Sequence, residues 1–217
     1  MTAAVGGFVR RPPVAITLIA LALAALSLLY PSTPTYDPWA WILWGREIVH
    51  FDLQTTGGPS WKPLPMLFTV PFGLFGEAAP DLWLVVARAG AIISLVLAFL
   101  LAGRLCQSAF GRAAAPRRGW VAAVAGLVAA GLVLVQVGYV RYAAMGDSEG
   151  LANAIAFAAI WWHLDRKYKG ALLFATGVAL LRPEMWPFLG LYGLWLWIAQ
   201  PQLRKWILGC AAVSYTH

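Results

Sequence analysis

The chain has 217 residues, of which 61% are hydrophobic and only 12% are charged, and it contains 12 tryptophans. A water-soluble domain carries about 25% charged residues, so this composition argues against one. Cys106 and Cys210 form no CxxC motif and have no neighbouring histidine, so neither a disulfide framework nor a metal cluster is predicted. We predict an all-α, polytopic membrane protein whose tryptophans lie at the lipid–water boundaries.

Apolar segments recur along the whole chain. We predict one transmembrane domain over residues 1–212, with spans at about 13–31, 82–103, 120–140, 150–164, 170–181 and 186–199 and another beginning near 206. The first three are long enough to cross a bilayer, whereas the later ones are short and must tilt, distort or form a shielded hairpin. The N-terminus could instead be a signal peptide, but its apolar run is long for that, and we favour a retained helix.

The charged residues favour one orientation, with the N-terminus in the cytoplasm. The short loops between spans then place eleven of the 16 Lys and Arg residues inside, as the positive-inside rule requires. These are Arg10, Arg11, Arg104, Arg112, Arg117, Arg118, Arg166, Lys167, Lys169, Arg204 and Lys205, with Asp165 as the only acid among them. We interpret the basic runs as topology determinants, with lipid-headgroup binding secondary. No aromatic or glycine-rich interleaving points to nucleic acid.

Three polar segments share the predicted outer side: the first polar segment (36–62), the second (141–150) and the third (180–186). In the first, Asp37 precedes Pro38, which is typical of a helix N-cap followed by the first helical residue. The helix it starts has an apolar side that can lie in the lipid interface. The apolar stretch 63–76 is short and broken by prolines, which fits another interfacial helix better than a crossing. Lys62 follows Trp61 and is either a snorkelling interfacial cation or a substrate contact.

The other two polar segments contain carboxylates beside helix breaks. "GDSEG" predicts a turn and a helix start, with Ser148 or Asp147 as the cap, or else two carboxylates in the same cavity as Asp37. In "LLRPEMW", proline breaks an apolar helix, and Arg182 and Glu184 either neutralise each other or contact substrate. A divalent cation remains possible, although there is no DxD motif.

The order of these motifs resembles that of a known family. "YDPWAW", "WKPLP", a basic inner loop, "GDSEG" and "LLRPE" follow one another as in the N-terminal half of GT-C glycosyltransferases. The resemblance is greatest to the bacterial RgtA/B/C/D-like, arabinofuranosyl- and mannosyltransferase-type enzymes, and it covers about residues 10–200. It implies a GT-C-like fold with interfacial helices in the first outer loop.

The resemblance also implies an activity. Such enzymes transfer a sugar from a polyprenyl-phosphate donor to a cell-envelope glycan or lipid acceptor at the outer face of the cytoplasmic membrane. Asp37 matches their catalytic carboxylate, and Asp147 and Glu149 match their second acidic loop. The cations Arg46, Lys62, Arg141 and Arg182 are candidate phosphate clamps. Glu47 and Glu184 complete the predicted substrate-binding set.

Two other classes remain open: a transporter or flippase, and a non-catalytic membrane assembly protein. A transporter usually has a second, symmetrically placed broken helix, and we find only "LLRPEMWP". A scaffold has no need of three outer polar segments. The ending "VSYTH" matches the translation of a common sequencing adapter, so we expect residues 213–217 to be non-native. The chain is then expected to be an N-terminal fragment of a longer enzyme and to be inactive as it stands.

Overall fold

The computed structural model describes residues 13–109 and 115–215, and within them every element is helical. The prediction of an all-α fold is therefore confirmed. The ten α-helices in these ranges are α1 (Pro13–Leu26), α2 (Tyr36–Val49), α3 (Pro63–Gly73), α4 (Ala79–Ala109), α5 (Ala115–Leu134), α6 (Tyr139–Ala144), α7 (Glu149–Leu164), α8 (Tyr168–Leu181), α9 (Trp186–Ala199) and α10 (Arg204–Tyr215). Short 3₁₀ turns cover Ser27–Leu29, Gly76–Ala78, Pro183–Met185 and Pro201–Leu203.

Helix α4 is the axis of the fold and packs against α1, α5 and α7. Small residues allow its closest crossing: a Cβ on Gly90 would lie 2.7 Å from the Leu151 Cα, and one on Gly150 would lie 2.6 Å from the Ala91 Cα. Backbones that approach this closely gain packing contacts along the whole crossing, as in membrane helix pairs. Helix α8 then packs on α7, and α9 and α10 pack on α8.

Helices α2 and α3 form a separate hairpin beside the start of α4. Trp41 and Trp44 of α2 are buried with Met66 of α3 and Trp83 of α4 in one aromatic cluster. The extended backbone of Lys62 leads directly into Pro63, and proline is well suited to the first helical position because its missing N–H has no partner there anyway. The prediction that 63–76 is a short helix is confirmed by the 11 residues of α3.

Two helices end before the predicted spans do, and the other predicted spans are covered in full. Of the described helices, one is both long and apolar enough to cross a membrane unaided, the 34 residues of Gly76–Ala109. The segment predicted over 13–31 breaks into a 3₁₀ turn after Leu26. The segment predicted over 120–140 is divided in two, since α5 ends at Leu134 and α6 begins after Gly138, which has φ of 80°. The multi-pass topology therefore remains a prediction. Arg10, Arg11, Arg112, Thr216 and His217 lie outside the described residues.

The two ends of the helix bundle differ chemically. We call the end near Trp83 and Gly146 the polar end, and the end near Arg104 and Asp165 the basic end. At the polar end, Trp83 of α4 donates a hydrogen bond to the Gly146 carbonyl, just before α7 begins. At the basic end, Arg104 of α4 pairs with Asp165, which follows α7, at 2.7 Å. The 21 residues from Trp83 to Arg104 rise by about 31 Å along α4. That rise is close to the thickness of a bilayer's hydrocarbon core, about 30 Å.

Candidate functional site

The first polar segment places an ion pair at the polar end. Lys62 Nζ lies 3.1 Å from Asp37 Oδ2, although 25 residues separate them in sequence. The hairpin of α2 and α3 makes this pairing, because Asp37 is in the first turn of α2 and Lys62 immediately precedes α3. The Lys62 ammonium also lies 4.9 Å from the centre of the Trp41 ring, a cation–π contact in a largely buried position.

One interpretation of this segment is wrong. Asp37 is not the helix N-cap: Thr35 occupies that position, and Asp37 lies inside the first turn with its carboxylate on Lys62. The ring beneath Lys62 is that of Trp41, whereas Trp61 packs against Trp44. These contacts arise because the α2–α3 hairpin, rather than sequence neighbours, sets which side chains meet.

The second polar segment packs against the loop that leads into α2. Thr35 N–H donates to the Met145 carbonyl at 3.0 Å, and the Thr35 hydroxyl donates a short hydrogen bond to Asp147. Gly146 has φ of 81°, a left-handed conformation in which a side chain would also meet Trp83 and Leu84. Asp147 is therefore hydrogen-bonded to Thr35, which precedes Asp37 by two residues in the chain.

A buried arginine ties these two loops together. Arg88 of α4 is 6% exposed and donates to the Ala144 carbonyl from Nε at 3.3 Å and from Nη2 at 2.9 Å. It also donates to the hydroxyls of Ser27, at 2.8 Å, and Ser32. Ser32 in turn donates to the same carbonyl at 2.7 Å. A guanidinium with five donors in a fixed fork suits this role, since it can bridge several acceptors at once.

The third polar segment brings the remaining charges to the same place. Arg182 forms a short ion pair with Glu149 and a second one with Glu184 at 3.3 Å. The expected pairing of Arg182 with Glu184 is thus present, but Arg182 is shared with the second polar segment. One oxygen of Glu149, Oε2, is buried with no hydrogen-bond partner among the described residues.

Contacts join the three segments: Thr35, which leads into the first, donates to Asp147 of the second, and Arg182 of the third pairs with Glu149 of the second. The charges of the three segments also shift the pKa values of one another's side chains. Burial raises the pKa of Asp147, opposed by the hydrogen bond from Thr35, and the negative charges of Glu149 and Asp37 raise it further. A hydrogen bond from its own backbone N–H lowers the pKa of Glu184, assisted by the positive charges of Arg182 and Lys62. Burial would lower the pKa of Arg182, but the hydrogen bonds and charges of its two glutamate partners outweigh it, and the pKa is raised.

The site cluster therefore consists of Asp37, Lys62, Asp147, Glu149, Arg182 and Glu184. It contains four carboxylates and two cations, a formal excess of two negative charges when all are ionised. Such a set can accept protons from hydroxyl groups and can hold cationic or hydroxyl-bearing groups. Its two cations are already paired with carboxylates.

Three predicted substrate-binding residues lie apart from this cluster. Arg46 and Arg141 are exposed, and neither side chain has an ion-pair partner among residues 13–109 and 115–215. Glu47 accepts a hydrogen bond from the Gln54 N–H at 3.0 Å and so fixes the loop after α2. In the same described ranges, no group of three metal-ligating side chains is close enough to hold a metal ion.

Sequence reasoning missed the residues that hold the cluster in place. The sequence did contain a signal for Arg88, which is a single cation inside the apolar run "LWLVVARAGAI". A lone ionisable residue within a membrane segment usually has a functional or structural role. Trp41 gave no such signal. Its indole N–H is buried beside Lys62 without a hydrogen-bond partner among the described residues, which only the packing reveals.

Comparison with known proteins leaves the resemblance untested. No protein-family model, no curated protein and no solved structure matches this chain.

Proposed function

We propose that this chain carries the catalytic carboxylate of a membrane glycosyltransferase that moves a sugar from a polyprenyl-phosphate donor to an acceptor hydroxyl. The observation that supports it most is the convergence of three separated polar segments on one ionisable cluster at the polar end. Charged groups at helix ends of an apolar protein are costly, and six of them in one place indicate a site.

Large apolar side chains on the surface support the membrane setting. Leu127 is 64% exposed, Phe188 62%, Leu191 67% and Ile198 73%, all on helices α5 and α9. Soluble monomers rarely expose apolar patches of this extent, whereas a lipid-facing helix is expected to do so. The proposed orientation puts the polar end outside and the basic end in the cytoplasm.

In the proposed reaction, the Asp37 carboxylate takes the proton of an acceptor hydroxyl. The acceptor oxygen forms a bond to the anomeric carbon while the bond from that carbon to the donor phosphate oxygen breaks, which inverts the centre. The phosphate leaves with the electron pair of the broken bond as an anion, so it needs nearby cations rather than a proton donor. Arg182, with donors on two guanidinium nitrogens, is the cluster's best candidate for that role.

The test is a transfer assay in proteoliposomes that contain the full-length protein and a radiolabelled polyprenyl-phosphate sugar. We expect label to move from the donor to a lipid or glycan acceptor supplied with the vesicles. A flippase would instead move labelled donor between leaflets without breaking the phosphate–sugar bond. An assembly protein would do neither, so the two assays together separate the three classes.

A further inference from the structure

A cavity lined by basic and apolar residues lies at the basic end, on the far side of the helices from the site cluster. It has a volume of about 470 Å³ and is formed by the turn between α7 and α8 together with the 3₁₀ turn before α10. Arg166, Lys167 and Lys169 line it from one side, and Gln200 and Gln202 line it from the other. A cavity of this size is within the range of small-ligand sites, about 300–1,000 Å³.

The cavity has more positive charge than its neighbours neutralise. Asp165 is the only acid in the sequence after Glu149 and before Glu184. It is already shared between Arg104 at 2.7 Å and Lys167 at 3.8 Å. Arg166 and Lys169 have no carboxylate partner among the described residues, although the Lys169 ammonium lies 3.5 Å from the centre of the Trp206 ring. A ring contact does not neutralise the charge, so an anion in the cavity would meet two cations whose charge no carboxylate balances.

The backbone adds two features that favour an anion. Helix α8 begins at Tyr168 with no side-chain cap, and its first three residues all line the cavity. Unsatisfied N–H groups at a helix N-terminus bind phosphate well. Arg166 itself has φ of 57°, the left-handed conformation that ends α7 and that glycine adopts at much lower cost. Arginine in this left-handed conformation has a higher backbone energy than glycine would have. A function of the arginine side chain would explain why arginine occupies the position.

The walls of the cavity are aromatic and then apolar. Trp162 lies under Lys167, 5.5 Å from its ammonium, and packs so closely on α8 that a Cβ on Gly170 would lie 1.7 Å from its ring. Beyond the cations, the lining continues onto Leu173, which is 47% exposed on the outer surface of α8. A free phosphate would use only the polar part of this surface, whereas a phospholipid would use both parts.

We propose that this cavity binds the headgroup of an anionic phospholipid from the adjoining leaflet. Its phosphate lies between Arg166, Lys169 and the N-terminus of α8, and an acyl chain runs along α8 past Leu173. This site depends on the membrane setting of the helices but not on sugar transfer, so either proposal can fail without the other.

The experiment measures thermal stabilisation of the purified full chain in one detergent as lipid is added. Phosphatidylglycerol is the probe, and phosphatidylcholine and inorganic phosphate are the comparison ligands. We expect the Tm to rise with phosphatidylglycerol, to rise much less with phosphatidylcholine at equal concentration, and to stay unchanged with inorganic phosphate.

Two variants assign the effect to the cavity. Arg166→Gly removes a cation but relieves the left-handed backbone, so its Tm without lipid should equal or exceed that of the wild type. Its apparent affinity for phosphatidylglycerol should fall about tenfold, the loss expected for one charge-assisted hydrogen bond. Lys205→Gln is the matched control, because Lys205 is an exposed cation at the same end that does not line the cavity.

The lipid proposal is overturned if Arg166→Gly binds phosphatidylglycerol as the wild type does. It is equally overturned if Lys205→Gln loses as much affinity as Arg166→Gly, since the effect is then general surface charge. Equal stabilisation by phosphatidylcholine would refute the requirement for a net negative headgroup. Stabilisation by inorganic phosphate at the same concentration would assign the cavity to a soluble anion instead.

Discussion

Replacing Asp37 with Asn is the most direct test of the proposed chemistry, because it removes the base while keeping its shape. The amide oxygen can still accept the hydrogen bond that Lys62 Nζ now donates to Asp37 Oδ2 over 3.1 Å. The Asp37 side chain is 39% exposed but that of Lys62 is only 11% exposed, so losing the carboxylate should cost more than losing a surface ion pair, about 1–2 kcal/mol of unfolding free energy. We therefore expect the variant to fold, with its Tm lowered by about 2–8 °C.

The effect on sugar transfer should be much larger than the effect on stability. A positioned general base contributes about 10²–10⁴-fold to the rate, and an amide cannot take a proton from the acceptor. We expect the initial rate of label transfer in proteoliposomes to fall by that factor, with reconstitution levels matched between variants. Donor binding should persist, because the neutral amide does not repel the phosphate.

The matched control is Asp52→Asn, which removes the same charge from the same polar segment. Asp52 is exposed in the loop after α2, and within residues 13–109 and 115–215 its carboxylate has one hydrogen-bond partner, the Gln54 amide at 3.5 Å. This variant should transfer sugar at the wild-type rate. If Asp37→Asn, folded and reconstituted at the wild-type level, also keeps the wild-type rate, then Asp37 is not the base and the proposed mechanism is wrong.

Three further changes test the groups that assemble the site cluster. Arg88→Met removes the guanidinium that bridges the Ala144 carbonyl and the hydroxyls of Ser27 and Ser32, and it leaves that carbonyl with the Ser32 hydroxyl as its donor. We expect a loss of about 1–3 kcal/mol in unfolding free energy, seen in thermal melts, together with faster proteolysis between α6 and α7. Arg182→Gln should lower the unfolding free energy by about 1–2 kcal/mol, because it leaves Glu149 without its ion-pair partner. Adding Glu149→Gln should restore part of that free energy, and a double-mutant cycle measures the coupling between the two residues. Burial raises the pKa of Asp147 in the folded state, so the protonated side chain stabilises the fold below the ordinary pKa of 3.8, and this stabilisation is lost as the pH rises through the raised pKa. The Tm of Asp147→Asn minus the Tm of the wild type should therefore increase as the pH rises. A decrease in that difference would contradict the raised pKa.

The sequence was sufficient for the helical class, which depends on local pattern. The distribution of charge over the loops of the whole chain predicted that the three polar segments lie at one end. Proline and glycine at the ends of apolar runs mark where helices stop, and α3 and the break at Pro183 follow from them. Charge counting places Asp165 with the basic loops, where the structure pairs it with Arg104 and Lys167.

The sequence did not reveal which side chains of different segments contact each other. Nothing local to Lys62 indicates that Trp41 lies beneath it, since that contact depends on how α2 and α3 fold back on each other. The same holds for Arg88, whose four acceptor contacts come from two loops that are distant in sequence. Helix lengths also differed, because turns such as Ser27–Leu29 interrupt runs that are continuous in hydropathy.

The geometry of the cluster also revises the role proposed for Lys62. In an inverting displacement the base and the departing phosphate lie on opposite faces of the anomeric carbon. A cation 3.1 Å from the Asp37 carboxylate, held in place by the Trp41 ring, lies on the face of the base. Lys62 is therefore suited to orient Asp37 toward the acceptor hydroxyl rather than to bind the phosphate. In the proposed mechanism, stabilisation of the leaving group then falls to Arg182, which approaches the cluster from a different helix and whose two partners, Glu149 and Glu184, are both separate from Asp37.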